Sequence, residues 1–165
     1  MSRSPAGPEP GRERPSGIRA VRTLAEAVTH SPEETVAFGR GLARELQPPC
    51  LALLEGELGA GKTTLVKGIV AGLGAAREEE VTSPSFTLVH EYGSAAKVYH
   101  VDLYRVEGAR ELATLGLEDL AGQDATVLVE WGEKLESLVV APCLRVRMEH
   151  LGSEDRRILV ERLEA

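Results

Sequence analysis

A chain of 165 residues is enough for one domain with one core and little more. Its 42% hydrophobic and 27% charged content is ordinary for a globular protein, and a formal net charge of −7 without any dense cluster of Lys and Arg argues against a nucleic-acid groove. Cys50 and Cys143 are too few for a disulfide framework and read as reduced, buried thiols of a cytoplasmic protein; the N-terminal stretch has arginines but no apolar core and is not expected to act as a signal peptide, and no apolar run approaches the ~20 residues that cross a bilayer.

Residues 1–17 carry Pro5, Pro8, Pro10 and Pro15 among glycines and alternating charges, too little apolar surface to offset the entropy of ordering. They are expected to form a disordered tail, leaving 18–165 as a single domain. Ile18 to Leu24 alternates partly and suggests an edge strand. Ser31-Pro32-Glu33-Glu34 supplies an N-cap, a proline at the first helical position and acids in the first turn, predicting a helix to about Leu46. Pro48-Pro49 closes it.

Leu51 to Leu54 is an apolar run of strand length, and the residues after it carry the chemistry. Gly56-Glu57-Leu58-Gly59-Ala60-Gly61-Lys62-Thr63 fits the phosphate-loop pattern of glycine, four residues, then Gly-Lys-Thr. Its glycines let successive amide N–H groups face one anion, and the helix beginning at Lys62 and Thr64 points its positive end at the same place. Lys62 reaches phosphate oxygens, and the Thr63 hydroxyl is suited to Mg²⁺. The pattern predicts a nucleoside triphosphate site formed by Gly59, Ala60, Gly61, Lys62, Thr63 and Thr64.

That helix should end at Gly74, followed by a polar connection over 75–80. Thr82-Ser83-Pro84-Ser85 is a hydroxyl-rich turn with the chemistry of a switch segment, Ser83 being able to meet the γ-phosphate or its metal. Phe86 to Tyr92 and Lys97 to Leu103 read as strands joined by a hairpin at 93–96, and Glu107 to Leu120 as a helix broken at Gly116. Thr126 to Val129 has the pattern of a strand buried on both faces, Gly132 to Leu138 that of a short helix. Cys143 to His150 and Arg156 to Leu163 form a second hairpin around Leu151 to Glu154. The sum is an α/β fold: a phosphate-loop αβα sandwich whose parallel central sheet is extended by antiparallel strands.

Hydrolysis needs an acid near the phosphate loop, at the end of a neighbouring strand. Asp102 ends Val98 to Val101, and Glu130 ends Val127 to Val129. Glu130 is assigned to the Mg²⁺ shell with Thr63, and Asp102 to the attacking water or a metal-bound water, roles that the sequence leaves exchangeable. Trp131 packs either at the site or in the core. His90, His100 and His150 read as partly exposed strand residues, and Arg105 as a phosphate or partner contact or, equally, one half of a surface ion pair. His30 to Thr35 and the hairpin at 149–153 are candidates to close over an adenine. The chain contains no asparagine, hence no Asn-Lys-x-Asp guanine motif, so ATP is the expected nucleotide. A small-molecule kinase is the alternative, weakened by the scarcity of basic residues between Gly74 and Asp102. Small size, an acidic surface and few substrate-pocket features favour a switch-like ATPase that drives an associated enzyme.

GELGAGKTTLVKG, TSPSFTLVHEY, VYHVDLYR, LGLEDL and VLVEWGEKL, in this order and spacing, closely resemble the bacterial TsaE family. The resemblance spans about residues 30–150. It implies the ATPase component of the machinery that installs threonylcarbamoyl on adenosine 37 of tRNA. It further implies that Lys62 and Thr63 bind phosphate and Mg²⁺, that Asp102 and Glu130 serve ATP hydrolysis with Glu130 at a metal position, and that Ser83 and Trp131 belong to the nucleotide site. The implied partners are the threonylcarbamoyl transferase subunit and its pseudo-enzyme companion, with tRNA met only indirectly. Two departures stand out: Ser85 where threonine is common, and the N-terminal extension.

Overall fold

The computed structural model describes residues 20–84, 87–95, 97–135 and 142–164. The predicted tail, Ser85, Phe86, Ala96 and the end of the helix expected over 132–138 lie outside them. In chain order the elements are β1 (Ala20–Thr29), α1 (Pro32–Leu42), β2 (Cys50–Glu55), α2 (Lys62–Gly72), β3 (Val89–Tyr92), β4 (Lys97–Asp102), α3 (Gly108–Thr114), α4 (Leu117–Ala121), β5 (Ala125–Glu130), β6 (Cys143–Gly152) and β7 (Asp155–Glu164). Short 3₁₀ turns occupy Ala43–Leu46, Glu78–Glu80 and Gly132–Leu135.

The strands form one sheet in the order β1-β7-β6-β2-β5-β4-β3. β6, β2, β5 and β4 run parallel, whereas β7, β1 and β3 add antiparallel edges. Every residue of β5 is buried, which requires cover on both faces. Alternation along β2 divides the cover: Ala52 and Leu54 meet Leu65, Val66 and Ile69 of α2, while Leu53 faces the opposite layer with Val127 and Val129. Leu112 and Leu115 at α3, with Leu117 and Leu120 of α4, close that second layer. Each fully buried Leu, Ile or Val contributes roughly 1.5–3 kcal/mol by leaving water. Among the described residues no helix is long and apolar enough to cross a membrane.

The predicted elements recur with instructive shifts. Ser31 caps α1 by accepting the Glu34 amide at 3.1 Å, and Pro32 stands in its first turn. The helix tightens to 3₁₀ after Leu42 instead of continuing to Leu46. β1 extends to Thr29, beyond the expected end at Leu24, because a register shift between Thr23 and Ala25 breaks its period-two alternation. β3 starts only at Val89, since Leu88 takes the left-handed conformation (φ 65°) and its amide turns back to the Pro84 carbonyl at 3.0 Å. The β6–β7 turn is tighter than predicted, with pairing continuing to Gly152 and Asp155.

Candidate functional site

β2, β4 and β5 are parallel neighbours, so their carboxyl ends meet on one edge of the sheet. The loop between β2 and α2 lies on that edge. Gly56 is required by crowding, because a Cβ there would stand 2.6 Å from the Met148 carbonyl oxygen. Gly61 is required by conformation: at φ 96° it turns the chain into α2. Unlike α1, α2 has no side chain capping its first turn, so its leading amides face the cavity beyond the loop.

Lys62 is only 5% exposed. Its Nζ donates to the carbonyls of Gly56 and Glu57, the latter at 3.1 Å, and stands 3.8 Å from the centroid of the Trp131 ring. Burial pulls this ammonium below its ordinary pKa, while Glu133, Glu130 and Asp102 act in the opposite direction. Trp131 holds its place at a left-handed φ of 61°, a conformation that costs on the order of 1 kcal/mol for a residue with a Cβ. Its ring meets Tyr104 at 5.1 Å between centroids.

Asp102 and Glu130 are register partners at the ends of β4 and β5. Glu130 is 3% exposed and accepts the Thr63 hydroxyl at 2.9 Å on Oε1 and 3.0 Å on Oε2. Asp102 accepts Ser83 Oγ at 2.9 Å on Oδ2 and the Tyr104 amide at 2.9 Å on Oδ1. The switch-like turn is thus tied to one acid and the phosphate loop to the other.

A cavity of about 480 Å³ opens over this arrangement. Gly59, Ala60, Gly61, Lys62, Thr63, Thr64, Ser83, Asp102, Glu130 and Trp131 all line it, as does Arg105. Neither His30 to Thr35 nor 149–153 does; the second hairpin instead delivers Arg156, which the sequence reading missed. The expectation for His100 is overturned. It is completely buried, and its Nε2 stands 2.5 Å from Glu130 Oε2. Its strand is covered on both sides at that point, so a polar letter in the alternation does not mark a wet face. His90 and His150 are half-buried and exposed strand residues, as read.

The donor set fits a hard cation shared with a phosphate chain. The single hydroxyl hydrogen of Thr63 is given to Glu130, which leaves its oxygen lone pairs for a metal, and the carboxylates supply negative charge beside the amide cradle.

Comparison with known proteins shows the family of the chain. The family model described as "Threonylcarbamoyl adenosine biosynthesis protein TsaE" matches residues 29–158. The "tRNA threonylcarbamoyladenosine biosynthesis protein TsaE" of Bacillus subtilis (strain 168) is 38% identical over 131 residues, covering 79% of this chain and 80% of that protein. Its namesake from Treponema pallidum is 32% identical over 133 residues, covering 81% and 97%. The one from Haemophilus influenzae is 40% identical over 119 residues, covering 68% and 74%. The crystal structure of Bacillus subtilis YdiB superposes with a TM-score of 0.68 at 33% identity, covering 88% of each chain. From the phosphate loop through the paired acids to the last hairpin, this chain belongs to the TsaE family of threonylcarbamoyl adenosine biosynthesis proteins.

Proposed function

We propose that this chain binds ATP with Mg²⁺ and hydrolyses it, driving or resetting the complex that installs threonylcarbamoyl on adenosine 37 of tRNA. Membership of the TsaE family supports the pathway. The observation that carries the activity is the convergence of Thr63, Glu130 and Asp102 on one sheet edge beside an uncapped helix start.

In this reading the amides of Gly59 to Thr64 cradle the phosphates. Lys62 exchanges the carbonyls of Gly56 and Glu57 for phosphate oxygens. Thr63 and Glu130 would hold Mg²⁺, which when bound draws charge from the phosphate oxygens. Asp102, oriented by Ser83 and the Tyr104 amide, positions or deprotonates the attacking water. The Thr63–Glu130 hydrogen bond supports this division of labour over its exchange, because Asp102 makes no such bond to the phosphate loop among the described residues. Ser83 links that acid to the 82–84 turn, so a change at the γ-phosphate has a path to the surface.

The partners in this reading are the threonylcarbamoyl transferase subunit and its pseudo-enzyme companion, which hold the tRNA while this acidic chain does not, and the compartment is the cytoplasm. The test is ATP turnover with and without the transferase complex. Stimulation by the complex is expected. Turnover indifferent to it, or phosphorylation of a small metabolite faster than hydrolysis, overturns the proposal, the second in favour of a kinase.

A further inference from the structure

His100 lies in register with Leu128, two residues before the Asp102–Glu130 pair along each strand, so it shares their face of the sheet one step below the acids. It is 0% exposed. Burying an imidazole costs free energy that a valine or leucine at this position would not, unless its hydrogen bonds are met. Its side chain meets one polar partner: Nε2 stands 2.5 Å from Glu130 Oε2, and Nδ1 has none among the described residues. A ring bonded to a carboxylate carries its hydrogen on Nε2. The bare lone pair left on Nδ1 is a smaller loss than a buried N–H without an acceptor. Glu130 is therefore gripped from two sides, by the Thr63 hydroxyl in front and by His100 from within the sheet.

We propose that His100 is a positioning residue. It fixes the Glu130 carboxylate in the orientation that meets Thr63, and so sets the affinity of the site for its divalent cation, without touching nucleotide, metal or water itself. This rests on the proposed role of Thr63 and Glu130 toward Mg²⁺. An imidazole behind a metal-facing carboxylate removes the rotamer freedom that the carboxylate would otherwise lose only on binding the ion.

The experiment is a Mg²⁺ titration of the ADP-bound chain, read by the fluorescence of Trp131, the only tryptophan and a lining residue of the cavity. The unsubstituted chain is compared with His100→Gln, whose amide nitrogen takes the place of Nε2, and His100→Asn, whose shorter amide stops near Nδ1. His100→Asn should raise the half-saturating Mg²⁺ concentration about 10- to 100-fold, with ADP affinity in EDTA unchanged, and His100→Gln should recover most of the loss. An unaltered Mg²⁺ response in His100→Asn, or an equal loss in both variants, overturns the inference. A second reading needs no variant. In ¹⁵N-edited spectra of the unsubstituted chain, the His100 Nε2–H resonance should shift when Mg²⁺ joins bound ADP but not with ADP in EDTA; a resonance indifferent to Mg²⁺ overturns the inference too. A chain that binds ADP with no Mg²⁺ response at all removes the Mg²⁺ reading beneath it, which distinguishes that failure from a failure of His100 alone.

Discussion

The direction of α2, and with it the aim of the phosphate loop, depends on a crossing of α1 and α2 that only glycine permits. A Cβ on Gly68 would stand 2.1 Å from the Val36 carbonyl oxygen, 2.9 Å from its carbon and 3.1 Å from the Arg40 nitrogen. All three atoms are backbone, so neither helix can yield by turning a side chain. Carbon and carbonyl oxygen settle at about 3.3–3.6 Å, so Gly68→Ala forces the helices apart by on the order of 1 Å. Overpacking of this kind costs about 1–3 kcal/mol, more where backbone meets backbone. The better helix propensity of alanine returns about 1 kcal/mol. Backbone meeting backbone puts the overpacking cost in the upper part of its range, about 2–3 kcal/mol, so the net loss of about 1–2 kcal/mol should lower Tm by about 2–8 °C for a domain of this size. Gly41, also in α1, provides the control, because a Cβ there meets nothing within 4 Å. Gly41→Ala should stabilise by about 0.4–1 kcal/mol and raise Tm by about 1–4 °C. Calorimetric melting of the two variants beside the parent decides the matter. If Gly68→Ala melts at or above the parent, the argument from close helix approach is wrong.

Lys62→Ala removes the ammonium from the cradle and should weaken ATP binding about 10- to 100-fold by calorimetric titration, the value of a charge-assisted hydrogen bond; equal affinity would remove the phosphate-loop assignment. Glu130→Ala should leave nucleotide binding measurable while lowering turnover on the order of 100-fold or more. Loss of the folded state in that variant, seen by circular dichroism, would point to a purely structural carboxylate. Burial pushes the Cys50 and Cys143 thiols up to about 11, leaving about one thiolate in a thousand or fewer near neutral pH. Iodoacetamide at pH 7.5 should therefore label the native chain slowly and the urea-unfolded chain fast. Cys143 is buried as expected and Cys50 only half-buried, so fast native labelling of Cys143 would contradict its burial.

What was legible in the sequence was what depends on local pattern. The phosphate loop announces itself because glycine spacing, lysine and threonine are all needed within one turn of chain. Glu130 and Asp102 could be placed opposite each other because each closes an apolar run, and parallel strands end on one edge. The length of β1 was hidden by its bulge, which shifts every later side chain to the other face. His100 was hidden for a different reason. Its burial comes from layers that the chain supplies elsewhere, and its partner is thirty residues away on β5. Arg156 likewise reaches the cavity from a strand that pairs with β1 and β6, and nothing beside it in the sequence mentions phosphate.

The most direct measurement is a crystal structure of the chain grown with Mn²⁺ and a non-hydrolysable ATP analogue, with anomalous data locating the metal. The account predicts a single manganese peak beside Thr63 Oγ1 and the Glu130 carboxylate, with the β- and γ-phosphates in the amides of Gly59 to Thr64 and the Lys62 ammonium turned onto them. A triphosphate bound elsewhere, or a metal remote from Thr63 and Glu130, would contradict it.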